Sequence, residues 1–386
     1  MPSRLVFLLT GSVGIVGANS LVLSPIAAEV SRGLSAGSAA NVMVAAAVYG
    51  LGVAGSALLL APRADRIGAD RALIGALMIL FVSFVASAAA PTLVVLTIAQ
   101  GVAGVGAGMA LPAIYSLAAQ IAPKGAEART IGTVLTGWTL SMVGGVTLSA
   151  YVADFAGWRA VYLLLAGGVL LAFLLLRGRD FGRVPARGTP SSPLTALRVS
   201  GILPALFSVA MLGTGFYGIY NYIGAHLESA LLRPVSDAGL LTLSYGLGFG
   251  AAMAIDPYLD RIGPRRGLAV TFGLLGLLYV VMSQSTASYG GLVALVFVWG
   301  LLQHMGLNLT VSRLTRLDAR QRGAIMGLNS TVMYLSVFAA TVFFRPLFEG
   351  YGLRATMLAS ALLAVLGLSE ALFARYLALR GARYAR

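Results

Sequence analysis

The residues able to do chemistry in this 386-residue chain are few: 13 acidic side chains, two histidines and no cysteine. The run from Trp299 to Asn308 sets His304 and Asn308 four residues apart, one turn along the same face of a helix, with Gln303 and Trp299 beside them. An imidazole so placed can exchange protons near neutral pH or contact a substrate, and it can equally be a neutral buried group bonded to Asn308. A second polar face is formed by Tyr217, Tyr220 and Asn221, with Tyr222 and His226 close by. Glu370 is the one acidic residue well inside an apolar run. It reads as an ion pair with Arg375 or a snorkelling carboxylate, with proton carriage as the other reading. Asp256, four residues before Asp260, is assigned to the charged loop that follows it. Without cysteine, and with two histidines, no Cys- or His-built metal centre is expected. No nucleophile–base pair and no G-x-x-x-x-G-K-[ST] loop is present, so neither an enzyme, a cofactor nor ATP-driven pumping is expected.

The elements that carry these residues follow from composition. The chain is 58% hydrophobic and 10% charged, with mean hydropathy +0.88, against about 25% charged in soluble domains. Apolar stretches of membrane-crossing length predict helices near 5–28, 41–61, 72–90, 92–118, 130–152, 159–177, 199–226, 238–257, 267–286, 290–311, 323–343 and 355–376. The first is read as a retained span, not a cleaved signal peptide. Of the 27 Lys and Arg residues, 22 fall on the side that holds both termini. The other five are Arg32, Arg159, Arg233, Arg345 and Arg354. This asymmetry predicts cytoplasmic termini and accounts for the net charge of +14 without a nucleic-acid partner.

The sequence is also duplicated. Asp65-Arg66-Ile67-Gly68-Ala69-Asp70-Arg71 returns as Asp260-Arg261-Ile262-Gly263-Pro264-Arg265-Arg266, and Gly157 and Arg159 return as Gly352 and Arg354, all 195 residues on. Tyr49-Gly50-Leu51-Gly52 returns after 196. Residues 1–177 therefore read as one six-helix bundle, 178–198 as a Pro- and Arg-rich cytoplasmic linker, and 199–386 as a second bundle of the same orientation. Such parallel repeats place a binding site between the halves near the midplane.

The loop at 62–71 resembles the G-x-x-x-D-R-x-G-R-R signature of the major facilitator superfamily, with Ala61 in place of the first Gly and Ala69-Asp70 where the basic pair begins. The resemblance covers the whole chain, because the copy at 260–266 falls in the matching loop. It implies the all-α, twelve-helix fold of that family and a charged latch made of Asp65, Arg66, Gly68, Arg71, Asp260, Arg261, Gly263 and Arg265. Gly144-Gly145-Val146-Thr147-Leu148-Ser149-Ala150, trailed by Gly157-Trp158-Arg159, is similar to the antiporter motif G-P-x-x-G-G with its G-W-R, Val146 replacing the proline. The end of the first helix with Tyr49 is similar to the drug and sugar efflux, arabinose-efflux-like, twelve-span proton-antiporter branch. Where those relatives carry an acid in the first span and an Arg in the fourth, this chain has Asn19 and Thr97.

By this resemblance the first, fourth, seventh and tenth helices line a cavity. Asn19, Gln100, Tyr217, Tyr220, Asn221, Gln303, His304 and Asn308 would face it, with Tyr49, Trp138, Trp299, Asn329 and Tyr334 as neighbours. His304 and Glu370 are the candidates for proton coupling. So little carboxylate suits a neutral or anionic small organic substrate. The resemblance implies a monomeric inner-membrane exporter working by alternating access and proton antiport. The alternatives are a uniporter or importer of an organic anion and, in another class, a membrane sensor or partner protein that does not transport.

Overall fold

The structure, a computed structural model, describes residues 2–60, 67–123, 126–179, 181, 193–318 and 320–384; at 2, 3, 127, 128, 260 and 374–384 the description covers the backbone. Among the described residues there is no strand. Eleven helices are long and apolar enough to cross a membrane, and the last, Arg322–Phe373, is 52 residues long. At Gly352 this helix leaves helical geometry (φ 71°, ψ −172°), which divides it into an eleventh and a twelfth span.

The first four spans are Pro2–Gly33, Ala39–Leu59, Ala69–Ala88 and Leu93–Ile121. The fifth runs from Glu127–Leu140 through a π-helical stretch, Ser141–Val146, into Thr147–Ala156. The sixth is Trp158–Leu176 and the seventh Ile202–Ser229. The eighth consists of Val235–Ala251, a 3₁₀ turn at Ala252–Ile255, and Asp256–Ile262. The ninth and tenth are Pro264–Gln284 and Tyr289–Thr315. Large apolar side chains such as Phe155, Leu164, Leu277 and Phe343 are exposed along them, as surfaces solvated by lipid require. The short 3₁₀ helix Pro193–Arg198 lies within the stretch expected as a linker.

Contacts divide the chain into two units, residues 1–190 with 227–243 and residues 191–226 with 244–386. Each unit contains the duplicated pattern in three dimensions. In the first, a Cβ on Gly104 would run into the carbonyl oxygen of Tyr49, and one on Gly52 into that of Gly101. In the second, a Cβ on Gly300 would meet the carbonyl of Tyr245, and one on Gly248 that of Phe297. The paired positions are 196 residues apart throughout. Each crossing is pinned by a serine: Ser56 Oγ donates to the Val105 carbonyl (2.8 Å), and Ser244 Oγ to that of Val293 (2.7 Å). Close backbone approach through small residues is how helices associate where lipid removes the hydrophobic drive.

Helix starts repeat as well. Thr92 caps the fourth span by accepting from Val95 N, and Ser288, 196 residues later, caps the tenth by accepting from Gly291 N. The glycines matched in sequence also share a backbone conformation, with Gly68 at φ 96°, Gly263 at 79°, Gly157 at 82° and Gly352 at 71°. These values lie in the left-handed region that glycine enters without a Cβ penalty.

Candidate functional site

Three buried polar constellations stand out, one in the first unit and two in the second. In the first unit, Asn19 Nδ2 donates to Gln100 Oε1 (3.2 Å), Gln100 Nε2 to Ser87 Oγ (2.9 Å), and Ser87 Oγ to the Ser83 carbonyl (2.8 Å). This chain ties the first, fourth and third spans together through groups that cannot ionise. Nearby, Ser20 Oγ and Tyr49 Oη lie 2.8 Å apart, while Trp138 Nε1 donates to Tyr115 Oη (3.2 Å).

The second unit contains an aromatic cluster. Phe216 stacks on Tyr220, meets Tyr217 edge-on, and lies 5.1 Å from Trp299 and 5.4 Å from Tyr245 between ring centroids. Trp299 is 1% exposed and donates its Nε1–H to Tyr279 Oη (3.1 Å). Below it on the tenth span, His304 Nε2 lies 3.0 Å from Asp256 Oδ1 and 3.3 Å from Oδ2. Asn308 Nδ2 donates to the same Oδ1 at 2.7 Å. The ring of Phe249 closes edge-on against the imidazole, 4.8 Å between centroids. Gln303 is buried, and its Oε1 has no hydrogen-bond partner.

Asp256, assigned from the sequence to the loop, therefore belongs to this cluster in the spans. His304 and Asn308 each bond Asp256, where a bond between the two was one of the two readings of their spacing. Sequence spacing offered a signal for Asp256: it is an acid inside the predicted helix 238–257, at the position that matches Ala61 in the first repeat.

The third constellation corrects two further expectations. Glu370 is held by Arg313 through two parallel bonds of 2.7 Å, and it also accepts from Ser208 Oγ at 2.7 Å. Arg313, which lies just beyond the predicted helix 290–311, is buried near the end of the tenth span. The side chain of Arg375, the partner expected for Glu370, lies outside the described residues. Asn221 donates to Thr341 Oγ1 (2.9 Å), and its neighbour Tyr222 to the Thr341 carbonyl (2.6 Å), so this corner of the seventh span is fastened to the eleventh. Tyr334 is buried and Asn329 half-buried on the eleventh span.

Of the latch set, Asp65 and Arg66 and the side chain of Asp260 lie outside the described residues. Gly68 and Gly263 open the third and ninth spans, Arg71 and Arg265 are exposed, and the Arg261 guanidinium lies over the ring of Tyr258. Among the described residues no group of three His, Asp or Glu side chains could hold a metal ion.

A match to the Major Facilitator Superfamily spans residues 6–341. The chain belongs to that family. It is 26% identical over 385 residues to the "Uncharacterized MFS-type transporter YwfA" of Bacillus subtilis (strain 168), covering 97% of this chain and 92% of that one. It is 28% identical over 263 residues to a "Probable sugar efflux transporter" of Pasteurella multocida (strain Pm70), covering 66% and 63%. Among solved structures, a bacterial homolog of the human lysosomal transporter Spinster, inward-facing and unoccupied, superposes with a TM-score of 0.75 at 15% identity, covering 97% of this chain and 96% of that one. The fold is that of the Major Facilitator Superfamily, and the protein is an integral membrane transporter, not an enzyme.

Proposed function

We propose that this Major Facilitator Superfamily member exports a small organic molecule, neutral or anionic, in exchange for protons, exposing its substrate site to the two faces of the membrane in turn. The observation that carries the export reading is the fifth span. Its antiporter-like stretch leaves α-helical geometry for a π-helical one at Ser141–Val146, a distortion that recurs at functional sites. That stretch beds against the first span: a Cβ on Gly17 would lie 2.6 Å from Ser141 Oγ, and one on Gly145 3.0 Å from the Ala18 Cβ. The name of the Pasteurella relative supports the same direction. The substrate class rests on the aromatic and amide groups of the candidate lining, from Asn19 and Gln100 to Tyr217, Gln303 and Asn308. The carboxylate of Glu370 is neutralised by Arg313, and that of Asp256 is engaged by Asn308 and His304.

The test uses everted membrane vesicles and proteoliposomes with a panel of sugars, nucleosides, organic anions and cationic dyes under an imposed pH gradient. Gradient-driven accumulation of a neutral or anionic compound in everted vesicles is expected. Net uptake of a nutrient by whole cells overturns the export direction, and flux indifferent to the gradient overturns antiport. The two six-helix halves, the cytoplasmic termini, the monomeric state and the loop latch belong to the same proposal. Selective labelling of cysteines introduced into this cysteine-free chain tests the termini and loops.

A further inference from the structure

Building on the antiport reading, we infer that Asp256, His304 and Asn308 form the proton-binding site, with His304 Nδ1 as the atom that takes the proton. Asp256 Oδ1 faces both Asn308 Nδ2–H and the imidazole edge, and an ionised carboxylate can only accept. The hydrogen of a neutral His304 therefore sits on Nε2, leaving the lone pair on Nδ1. Nδ1 is buried and has no hydrogen-bond partner.

Without the extra proton the cluster carries one net negative charge among apolar helices. With the proton on Nδ1, imidazolium and carboxylate neutralise each other. A single buried charge is costly and a paired one much less so, which gives the site its reason to load. The step is balanced: a proton from water forms the Nδ1–H bond and returns to water when that bond breaks.

The surroundings fit a gated site. His304 is 9% exposed, and Phe249 covers its ring. The Asp256 side chain is 32% exposed and sits near the end of the eighth span. In the orientation proposed above, that is the cytoplasmic side, where an antiporter releases protons. The 3₁₀ turn Ala252–Ile255 immediately precedes Asp256, and such a turn within a helix often marks a hinge. The proton thus changes a tie between a hinge and the tenth span.

Among the described residues, the nearby charged groups are out of reach or engaged elsewhere. The ninth span begins with Arg265 and Arg266, neither within ion-pair distance of Asp256, and Arg261 lies over Tyr258. Arg313, farther along the tenth span, is engaged by Glu370, while the Asp260 side chain lies outside the described residues. A proton on Glu370 would have to displace two guanidinium bonds, which makes that carboxylate the poorer carrier. Asn19 and Thr97 in the first unit cannot ionise.

Two histidines in the whole chain make the test direct. Full-length protein in nanodiscs, labelled with ring-¹³C histidine, gives two signals, and His226→Gln assigns them. The His304 signal is expected to respond to pH, and that response to be altered in Asp256→Asn. A single cysteine at Met253 then reports the hinge by its maleimide labelling rate. Divided by the rate of free cysteine at the same pH, which removes the titration of the thiol itself, that rate is expected to change with pH by about tenfold in the Met253→Cys protein and to lose the change when His304→Gln is added.

A His304 signal that does not respond to pH, or a pH response of the normalised labelling rate that survives His304→Gln, overturns the site. Flux that follows the gradient while His304 stays silent removes the site and spares antiport. A titrating His304 that moves the hinge while flux ignores the gradient removes antiport and keeps the site as a pH switch.

Discussion

Arg313 and Glu370, 57 residues apart in the chain, face each other with two parallel bonds of 2.7 Å, Nη1 to Oε2 and Nη2 to Oε1, and Ser208 completes the contact from the seventh span. The pair joins the seventh, tenth and twelfth spans at a point where neither charge is well exposed. Glu370→Gln strands the guanidinium, and a loss of about 3 kcal/mol is expected, read as a lower melting temperature in detergent. The apolar double replacement Arg313→Met with Glu370→Leu should recover most of it. Equal melting of the single variant and the parent would show that the pair is solvated.

The crossing of the eighth and tenth spans leaves no room at Gly300, where a Cβ would occupy the position of the Tyr245 carbonyl. Gly300→Ala should separate the helices at a cost of about 1–3 kcal/mol. Gly290→Ala, where a Cβ meets nothing within 4 Å, is the matched control and should be neutral or slightly stabilising. Parallel thermal melts decide the point.

Gly352 carries the chain from the eleventh to the twelfth span at φ 71°. An alanine there would enter a backbone region that is essentially glycine-only, at about 1–3 kcal/mol, although no atom obstructs its Cβ. Gly157→Ala should cost a similar amount because its φ is 82°. Chemical unfolding of the two variants should therefore shift together.

Tyr217→Phe retains the ring that packs edge-on against Phe216 and removes only the hydroxyl. If the cavity proposal holds, substrate flux falls about fivefold or more, the equivalent of one lost hydrogen bond, with unchanged melting. Tyr222→Phe, which removes a bond to the Thr341 carbonyl, should do the reverse and lower stability first. Transport assays beside melting curves separate the two roles.

What could be read from the residues, and what could not, divides along sequence distance. The twelve spans and the duplication were legible because apolar length and a fixed offset are properties of the chain itself. The offset of Tyr49 and Tyr245 even anticipated the matched crossings at Gly104 and Gly300. Local spacing misled wherever a partner came from another helix. Arg375 is the near neighbour of Glu370, yet Arg313 holds it; Asn308 is the near neighbour of His304, yet both turn to Asp256. Helical spacing ranks candidates on one helix and carries no information about which other helix packs against that face. The π turn in the fifth span had no signal in composition, since Ser141–Val146 is an ordinary mixture of small and apolar residues.

The glycine connections have a mechanical consequence. Between Ala156 and Trp158, and again between Ile262 and Pro264, the chain passes from one helix to the next through a single residue, Gly157 or Gly263. Such a coupling has no slack. A rotation of the fifth span cannot be absorbed by a loose connector and must pass as torque to the sixth, and the eighth and ninth are linked in the same way. Each of these helix pairs is then a lever with one stiff elbow, and lengthening an elbow by two or three flexible residues would let its arms turn independently.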